Sequence, residues 1–268
     1  MSDLLRLERD GDVVVLTFDD PERRNAMSQA MGEAFAARVA ELAGDDSLRA
    51  VILTGAGRAF SAGGDLGMIQ ERADHGASEP GRARRSIREA MRSFYQLFLS
   101  VREIPCPTLA ALNGHAIGAG LCVALACDVR IAAEDAKLGL NFTRLGLHPG
   151  MGATWTLPRL VGSARAAELL FSSRILTGAE AAAIGLVSRA VPREQVLPAA
   201  RELAAAFATC APLAVRGVKR ALARSLEATL EDQLSFEARE QAACFESRDV
   251  QEGLAAARER REPQFEGR

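Results

Sequence analysis

The chain has 268 residues, of which 48% are hydrophobic and 25% are charged, a balance typical of a globular protein with a full-sized core. Its 33 basic and 35 acidic residues give a net charge of −2, which removes the electrostatic attraction that drives general nucleic-acid binding. No apolar run approaches the roughly 20 residues that cross a bilayer, and the charged first residues lack the apolar core of a signal peptide, so we expect a cytoplasmic protein and no membrane partner.

The first elements predicted are two strands, a helix and a third strand. Alternation predicts a strand over residues 4–8, and a hairpin turn leads to a returning strand over residues 13–18. Apolar residues at helical spacing from Met27 to Leu42 predict a helix that ends at Gly44. The apolar run at residues 49–54 predicts a buried strand.

The middle of the chain predicts a loop and then a strand, turn and helix. Residues 71–81 have the composition of a surface loop, either solvated or gating a substrate. A helix is predicted around residues 87–98 and a strand over residues 108–112. The glycine-rich turn 113–120 then leads into the apolar helix 121–126.

Two glycine-rich turns, residues 55–65 and 113–120, each follow a predicted strand. Phe60 stands where a dinucleotide-binding turn needs glycine, and Ala59 stands where a serine-hydrolase elbow around Ser61 needs glycine. Both of those functions are therefore disfavoured. Gly118-Ala119-Gly120 lies at a helix N-terminus, where unpaired amides attract negative charge. Such turns serve either tight packing or the binding of an oxyanion by two backbone amides.

Cysteines and histidines give no sign of a metal. The five cysteines form no Cys-x-x-Cys pair, and His75, His115 and His148 are far apart in sequence. We expect free thiols, a reducing compartment and no zinc.

Several motifs together resemble the crotonase (enoyl-CoA hydratase/isomerase) superfamily. They are TGAGRAFSAGGDL at residues 54–66, NGHAIGAG at 113–120, ACDVRIAA at 126–133 and LGLHPGMGAT at 145–154, with shorter matches at 20–27, 176–178 and 185–187. Their order and spacing extend over nearly the whole chain.

The resemblance implies an α/β fold, a spiral of β-β-α turns followed by a C-terminal helical region that associates with neighbouring subunits. It implies an acyl-CoA-binding core over residues 1–190 and a helical oligomerisation region over residues 191–268. The expected assembly is a homotrimer or a dimer of trimers. The resemblance also implies acyl-CoA thioester substrates and no metal or other cofactor apart from the coenzyme A of the substrate.

Site residues are carried over from the resemblance by position. The two oxyanion amides are expected at Ala62 and Ala119, where they would stabilise a thioester enolate. Arg24 is expected on the CoA phosphates, and Arg260 of a neighbouring subunit near the nucleotide. The channel is expected to be lined by Ala26, Ala62, Gly63, Gly64, Asp65, Leu66, Gly118, Ala119, Cys122 and Phe142.

The sequence departs from the family at both catalytic glutamates, which serve hydratases as general acid and base. Cys122 stands at the first position and Phe142 at the second, and an aspartate used by related isomerases is absent near Gly150. Ordinary two-glutamate hydration is therefore not expected. Trp155, Phe142 and Met151 are expected to shape an apolar acyl pocket.

Two side chains remain as candidates for proton transfer. His148 borders the expected acyl pocket, and an imidazole exchanges protons near neutral pH, although it could also pack a tight turn. Asp65 could act as a base or cap the helix that begins at Leu66. His115 and Cys122 are expected to be structural.

The sequence thus predicts an acyl-CoA enzyme of this family, such as an isomerase, decarboxylase, C–C lyase or one using substrate assistance. The alternative is a non-catalytic acyl-CoA-binding protein, which the missing glutamates favour.

Overall fold

The computed structural model describes residues 4–268, and its strands form two sheets. The larger sheet has the order β1-β2-β3-β5-β7-β10, with β1 and β2 antiparallel and the remaining neighbours parallel. The smaller sheet has the order β4-β6-β8-β9, with only β8 and β9 antiparallel. The strands are β1 Leu5–Asp10, β2 Val13–Phe18, β3 Ala50–Gly55, β4 Ala59–Ser61, β5 Thr108–Leu112, β6 His115–Ile117, β7 Val129–Ala133, β8 Lys137–Gly139, β9 Ile175–Thr177 and β10 Arg189–Val191.

The strand order describes a spiral. The pairs β3/β4, β5/β6 and β7/β8 each place one strand in the larger sheet and the next in the smaller sheet, and helices follow each pair. The predicted α/β spiral of β-β-α turns with C-terminal helices is thereby confirmed. Because successive turns stack, the segments that follow β4 and β6 are brought side by side.

Eleven helices accompany these strands within residues 4–268. They are α1 Gln29–Ala43, α2 Leu66–Ser78, α3 Ala83–Leu99, α4 Ala119–Ala126, α5 Ala153–Val161, α6 Ser163–Ser172, α7 Gly178–Ala183, α8 Val196–Ala208, α9 Pro212–Ser225, α10 Leu230–Glu246 and α11 Arg248–Glu259.

The core lies between the larger sheet and the helices that cover it. All six residues of β3 are buried, as the apolar run predicted. Phe18 packs against Phe35 of α1 and Phe60 of β4, with ring centroids 5.4 and 5.6 Å apart, and Phe35 stacks on Phe98 of α3. This aromatic chain joins α1, α3 and both sheets into one core.

Two predicted elements are wrong in their bounds. The prediction of a loop over residues 71–81 is wrong up to Ser78, because the N-cap Asp65 begins a regular helix there, α2. This helix has no fully buried residue, so its composition resembles that of a loop. The helix predicted from Met27 begins instead at Gln29, because Ser28 caps it and Met27 bridges to Gly64.

The C-terminal segment after β10 is helical. Helix α8 packs on β3, β5 and β7, while α9 and α10 pack on each other. No single helix of the described chain is long and apolar enough to cross a membrane. The helical segments Arg193–Ala208 and Pro212–Ser225 reach that length and composition only as a pair, bent by 111°.

Candidate active site

A cavity of about 900 Å³ lies between the two glycine-rich turns, helices α2 and α3, and the segment after β8. Its walls are mainly apolar, and its charged residues lie on the segment before α1 and on α2. The residues that line it are Glu22, Arg23, Arg24, Ala26, Ala62, Gly63, Gly64, Asp65, Leu66, Gly67, Met68, Ile69, Arg72, Ala73, Ile87, Met91, Phe94, Tyr95, Gly118, Ala119, Asn141, Phe142, Leu145, Leu147, His148 and Met151.

The first glycine-rich turn is held by buried polar side chains. Asn25 is fully buried, and its amide donates to the carbonyls of Ala56 and Ala59 at 3.0 and 2.8 Å. The Ser61 hydroxyl donates to the Asn25 carbonyl at 2.7 Å and accepts the Gly63 amide at 3.1 Å. Ser61 is therefore a buried structural residue, in agreement with the expectation that disfavoured a serine hydrolase.

The same turn decides which backbone amide is available to a ligand. The Ala62 NH donates to the Arg24 carbonyl at 2.9 Å, and the Asp65 NH donates to the Met27 carbonyl at 3.1 Å. The placement of an oxyanion amide at Ala62 is therefore wrong, because that NH already has a partner. Gly64 lies between them, lines the cavity, and its NH donates to no residue of the described chain.

The second glycine-rich turn ends at the N-terminus of α4. Asn113 holds its start, accepting the Gly55 amide at 3.2 Å and donating to the Gly55 carbonyl at 2.8 Å. Gly118 has a φ of +52°, a left-handed conformation that glycine adopts without strain. Ala119 is the first residue of α4, and its NH donates to no group within residues 4–268.

The two turns touch each other. A Cβ built on Gly63, where φ is +95°, would lie 2.5 Å from the Ile117 carbonyl oxygen and 3.6 Å from the Ala119 nitrogen. Only glycine permits this approach. The contact between the turns thus places Gly64 and Ala119, which are more than fifty residues apart in sequence and each have an unpaired amide, in the lining of one cavity.

The two positions where the family carries glutamates are apolar or buried here. Phe142 lines the cavity, and its Cζ atom lies 3.9 Å from a Cβ built on Gly118. Cys122 is buried in α4 outside the cavity wall, and its thiol donates to the Gly150 carbonyl at 3.7 Å. Burial raises the pKa of the Cys122 thiol to about 12, so it stays protonated and inert at neutral pH.

The two candidate proton-transfer residues both line the cavity, but their environments differ. The Asp65 carboxylate accepts the Met68 amide at 2.9 Å and forms an ion pair with Arg23. The Met68 bond and then the Arg23 guanidinium lower the pKa of Asp65 against the opposing effect of burial. Asp65 is thus the N-cap of α2, the second of its two predicted roles.

His148 is exposed, lines the cavity and makes one hydrogen bond to the part of the chain that the structure describes. Its Nδ1 lies 2.7 Å from the Pro149 carbonyl oxygen. Because a carbonyl only accepts, we assign the proton to Nδ1, which leaves Nε2 free to accept a proton. His115 is not in the cavity wall, and its Nδ1 accepts the Lys137 amide at 3.0 Å.

Of three further residues predicted near the substrate, only Arg24 lines the cavity, whereas Arg260 and Trp155 lie outside it. Arg24 lines the cavity beside Glu22 and is exposed. Arg260 lies at the C-terminal end of α11, outside the cavity. Trp155 was expected in the acyl pocket, and this is wrong. Its ring lies outside the cavity between the guanidinium groups of Arg102 and Arg159, 4.9 and 4.0 Å from its centroid.

The sequence analysis missed five polar residues of the cavity, which are Glu22, Arg23, Arg72, Tyr95 and Asn141. The Asn141 amide oxygen lies 3.3 Å from a Cβ built on Gly118, at the edge of the second turn. Arg72 and Tyr95 lie on α2 and α3. The helical spacing of Ile69, Arg72, Ala73 and Gly76 could have indicated that Arg72 shares a face with apolar residues.

Comparisons with known proteins agree with this architecture. The family model described as enoyl-CoA hydratase/isomerase matches residues 8–268. The chain is 37% identical to a Mycobacterium tuberculosis protein named probable enoyl-CoA hydratase echA8, over 97% of this chain and 96% of that protein. It is 36% identical to the mitochondrial methylglutaconyl-CoA hydratase of Mus musculus, over 97% of this chain and 81% of that protein.

A crystal structure of an enoyl-CoA hydratase from Bacillus anthracis superposes with a TM-score of 0.90 at 35% identity. The match covers 99% of this chain and all of that one. Sequence, fold and the paired glycine-rich turns therefore lead to the same conclusion: the chain belongs to the enoyl-CoA hydratase/isomerase family, the crotonase superfamily.

Proposed function

We propose that the protein is an acyl-CoA-processing enzyme that stabilises the enolate of a thioester between the backbone amides of Gly64 and Ala119. The observation that carries this proposal is the pair of amides that line one cavity and donate to no residue of the described chain. Preorganised donors of this kind act on charge that develops on a carbonyl oxygen during reaction. Family membership supports the thioester as the source of that carbonyl.

The reaction begins when a base removes the proton on the carbon next to the thioester. The electron pair of the broken C–H bond forms a C=C bond, and the carbonyl electrons move onto oxygen as an enolate. Both amides donate to this oxygen. Where the acyl chain carries a neighbouring C=C bond, a proton returned to the far carbon of that bond gives a shifted double bond. In a decarboxylase or lyase the bond to the carboxyl or acyl group breaks in place of the C–H bond, and its electron pair forms the same enolate, which then takes up a proton. Every group needed belongs to the chain or the thioester, so the proposal requires no further cofactor.

We assign the proton transfer to His148 rather than Asp65. The Nε2 atom of His148 is free, whereas the Asp65 carboxylate is occupied by the Met68 amide and Arg23. The apolar Phe142 and the buried, protonated Cys122 do not provide the acid and base pair of a two-glutamate hydratase.

The direct test is proton NMR of the purified protein in D₂O with saturated, unsaturated and malonyl-type acyl-CoAs. We expect deuterium at the carbon next to the thioester, and any new product identifies the reaction class. Line broadening without exchange or product would contradict the enzyme and support the acyl-CoA-binding protein. The missing glutamates are the one observation that favours that second function.

A pair of variants tests the proton-transfer assignment. His148→Ala should lower the exchange rate by about 10²-fold or more, the usual contribution of a general base. Asp65→Asn keeps the helix cap and should stay within about threefold of wild type. Acyl-CoA affinity, measured on both variants, separates loss of chemistry from loss of binding. A slow Asp65→Asn beside a normal His148→Ala would reverse the assignment.

We further propose that the C-terminal helices associate with other copies of this chain, as a trimer or a dimer of trimers. Four large apolar side chains of this region are 67–76% exposed. Leu222 lies on α9 and Leu226 is its C-cap, while Leu230 and Phe245 lie on α10. Association would cover them, since soluble monomers rarely expose so large an apolar surface. In such an assembly Arg260, the C-cap of α11, would approach the nucleotide end of a neighbouring site. Exposed Arg24 would meet the CoA phosphates within its own chain.

A further inference from the structure

The cavity contains a cation and a hydroxyl that the proposed chemistry does not use. Arg72 lies on α2 and Tyr95 on α3, and both line the cavity. Apolar side chains surround them there, among them Met91 and Phe94. Arg72 is half-buried, and an acyl chain that fills the cavity removes water from its guanidinium, which costs free energy unless the ligand supplies a partner.

Arg72 has most of its hydrogen-bonding capacity unused. One guanidinium nitrogen donates to the Met68 carbonyl at 3.2 Å, and the guanidinium carbon lies 5.9 Å from the centroid of the Phe94 ring. A guanidinium has five N–H donors in a fixed fork, which matches the two oxygens of a carboxylate. No salt bridge to Arg72 is found within residues 4–268, whereas Arg23 in the same cavity is paired with both Asp20 and Asp65.

Tyr95 offers a second donor in the same cavity, one residue after the Phe94 ring that Arg72 approaches. Its hydroxyl lies against Gly150, where a Cβ would collide with it, and it makes no hydrogen bond to the described part of the chain. Burial raises the pKa of Tyr95, and the Arg72 guanidinium opposes the rise. The hydroxyl is therefore a neutral donor at physiological pH, beside a permanent cation.

The position of these groups indicates which part of a thioester they would meet. The Gly150 carbonyl accepts the Cys122 thiol, and Cys122 is three residues after Ala119 in α4. Tyr95 is therefore linked through Gly150 to Cys122, on the C-terminal side of Ala119 in α4. Arg24 and Glu22 lie at the first turn, where the Arg24 carbonyl binds the Ala62 amide. On this basis we assign Tyr95, and Arg72 beside the adjacent Phe94, to the acyl end of the cavity.

We propose that Arg72 and Tyr95 form a carboxylate-binding subsite, so that the preferred acyl group is that of a dicarboxylic acid bound to CoA through one of its two carboxyl groups. The free carboxylate accepts from the Arg72 guanidinium and the Tyr95 hydroxyl while the thioester oxygen lies at Gly64 and Ala119. This inference rests on the proposed function, because it assumes that a thioester occupies the cavity.

The test compares two series of saturated thioesters by calorimetry. Succinyl-, glutaryl- and adipoyl-CoA carry a distal carboxylate, while butanoyl-, pentanoyl- and hexanoyl-CoA have the same chain lengths without it. We expect at least one acid to bind about tenfold to a hundredfold more tightly than its neutral counterpart, the range for a charged hydrogen bond. Arg72→Gln should abolish that preference and leave the neutral thioesters within about twofold of wild type. Tyr95→Phe should reduce the preference by about threefold or more.

Arg88→Gln is the matched control, since Arg88 is an exposed arginine of α3 outside the cavity wall. It should leave the preference unchanged, and thermal unfolding checks that each variant is folded. Equal affinity for acid and neutral thioesters would overturn the subsite while leaving the proposed function intact. An equal loss in Arg88→Gln would overturn it as well, because the preference would then come from general positive charge. Failure of both series to bind would instead refute the proposed function.

Discussion

Ala119→Pro removes one proposed oxyanion donor and places the ring Cδ where the amide hydrogen was, while the backbone of α4 is kept. Ala119 is the first residue of α4, where proline is well accepted because the NH has no intrahelical partner. The chain itself has Pro212 at the first position of α9. The residue before a proline usually adopts an extended conformation. Gly118, which would precede the new proline, has φ +52° and ψ −119°, the mirror image of that conformation. Glycine adopts an extended conformation and its mirror image about equally well, so Gly118 can precede proline without strain.

The expected effect on the reaction is large. Loss of one of two oxyanion donors costs about 10² to 10³ in rate, or roughly 3 to 4 kcal/mol of transition-state stabilisation. The fold should be nearly unaffected, because no hydrogen bond within the described chain is lost. The assay is the rate of deuterium incorporation next to the thioester of butanoyl-CoA in D₂O, with the midpoint of thermal unfolding measured in parallel.

Ser163→Pro is the matched control for this variant. Ser163 is the exposed first residue of α6, it follows Gly162 at φ +79°, and it lies outside the cavity wall. It should retain the wild-type exchange rate. An Ala119→Pro protein that is stably folded and exchanges within about threefold of wild type would refute the role of this amide.

Three further predictions concern the rest of the molecule. The Met68 amide and then Arg23 lower the pKa of Asp65 below its ordinary value near 3.8. The charged Asp65 carboxylate therefore stabilises the folded protein above about pH 3.8. That stabilisation is lost as the pH falls through the pKa of Asp65 in the folded protein. The midpoint temperatures of thermal unfolding of the wild type and of Asp65→Asn should therefore differ by a constant amount from about pH 5 to 8. The difference should shrink as the pH falls below about 4. Burial raises the pKa of the Cys106 thiol to about 11 and the pKa of the Cys122 and Cys127 thiols to about 12, so these three thiols should not react in the native protein. A thiol-labelling assay should therefore count at most two reactive thiols in the native protein and five after unfolding. Leu226→Glu should lower the mass measured by light scattering toward that of one chain, whereas Leu7→Glu on β1 should not. An unchanged mass would contradict the proposed interface.

Much of the fold could be predicted from the sequence because its signals are local. The hairpin of β1 and β2 follows from a glycine turn between alternating strands, and its register pairs Asp10 with Val13 as that turn requires. The buried strand β3 follows from an unbroken apolar run. The absence of glutamate at Cys122 and Phe142 was also evident from sequence, since it depends on which residues are present rather than on where they lie.

Tertiary structure alone decided which amide of the first turn is free. Ala62 and Gly64 are two residues apart in the same turn, and nothing local distinguishes their NH groups. The difference arises because the segment around Arg24 and Met27 lies alongside the turn and accepts the Ala62 and Asp65 amides. Backbone pairing depends on which distant segment is adjacent, and a local pattern does not contain that information.

The same reasoning applies to the acyl end of the cavity. Arg72 and Tyr95 each looked like ordinary members of helices or loops, and neither carries a motif. They become a potential carboxylate site only because α2 and α3 both line the cavity and Gly150 leaves room for the hydroxyl. The sequence by itself determined the spiral, its glycine turns and the missing glutamates. The tertiary structure decided which donors are unpaired, because that depends on long-range packing that places or withholds a partner for each polar group.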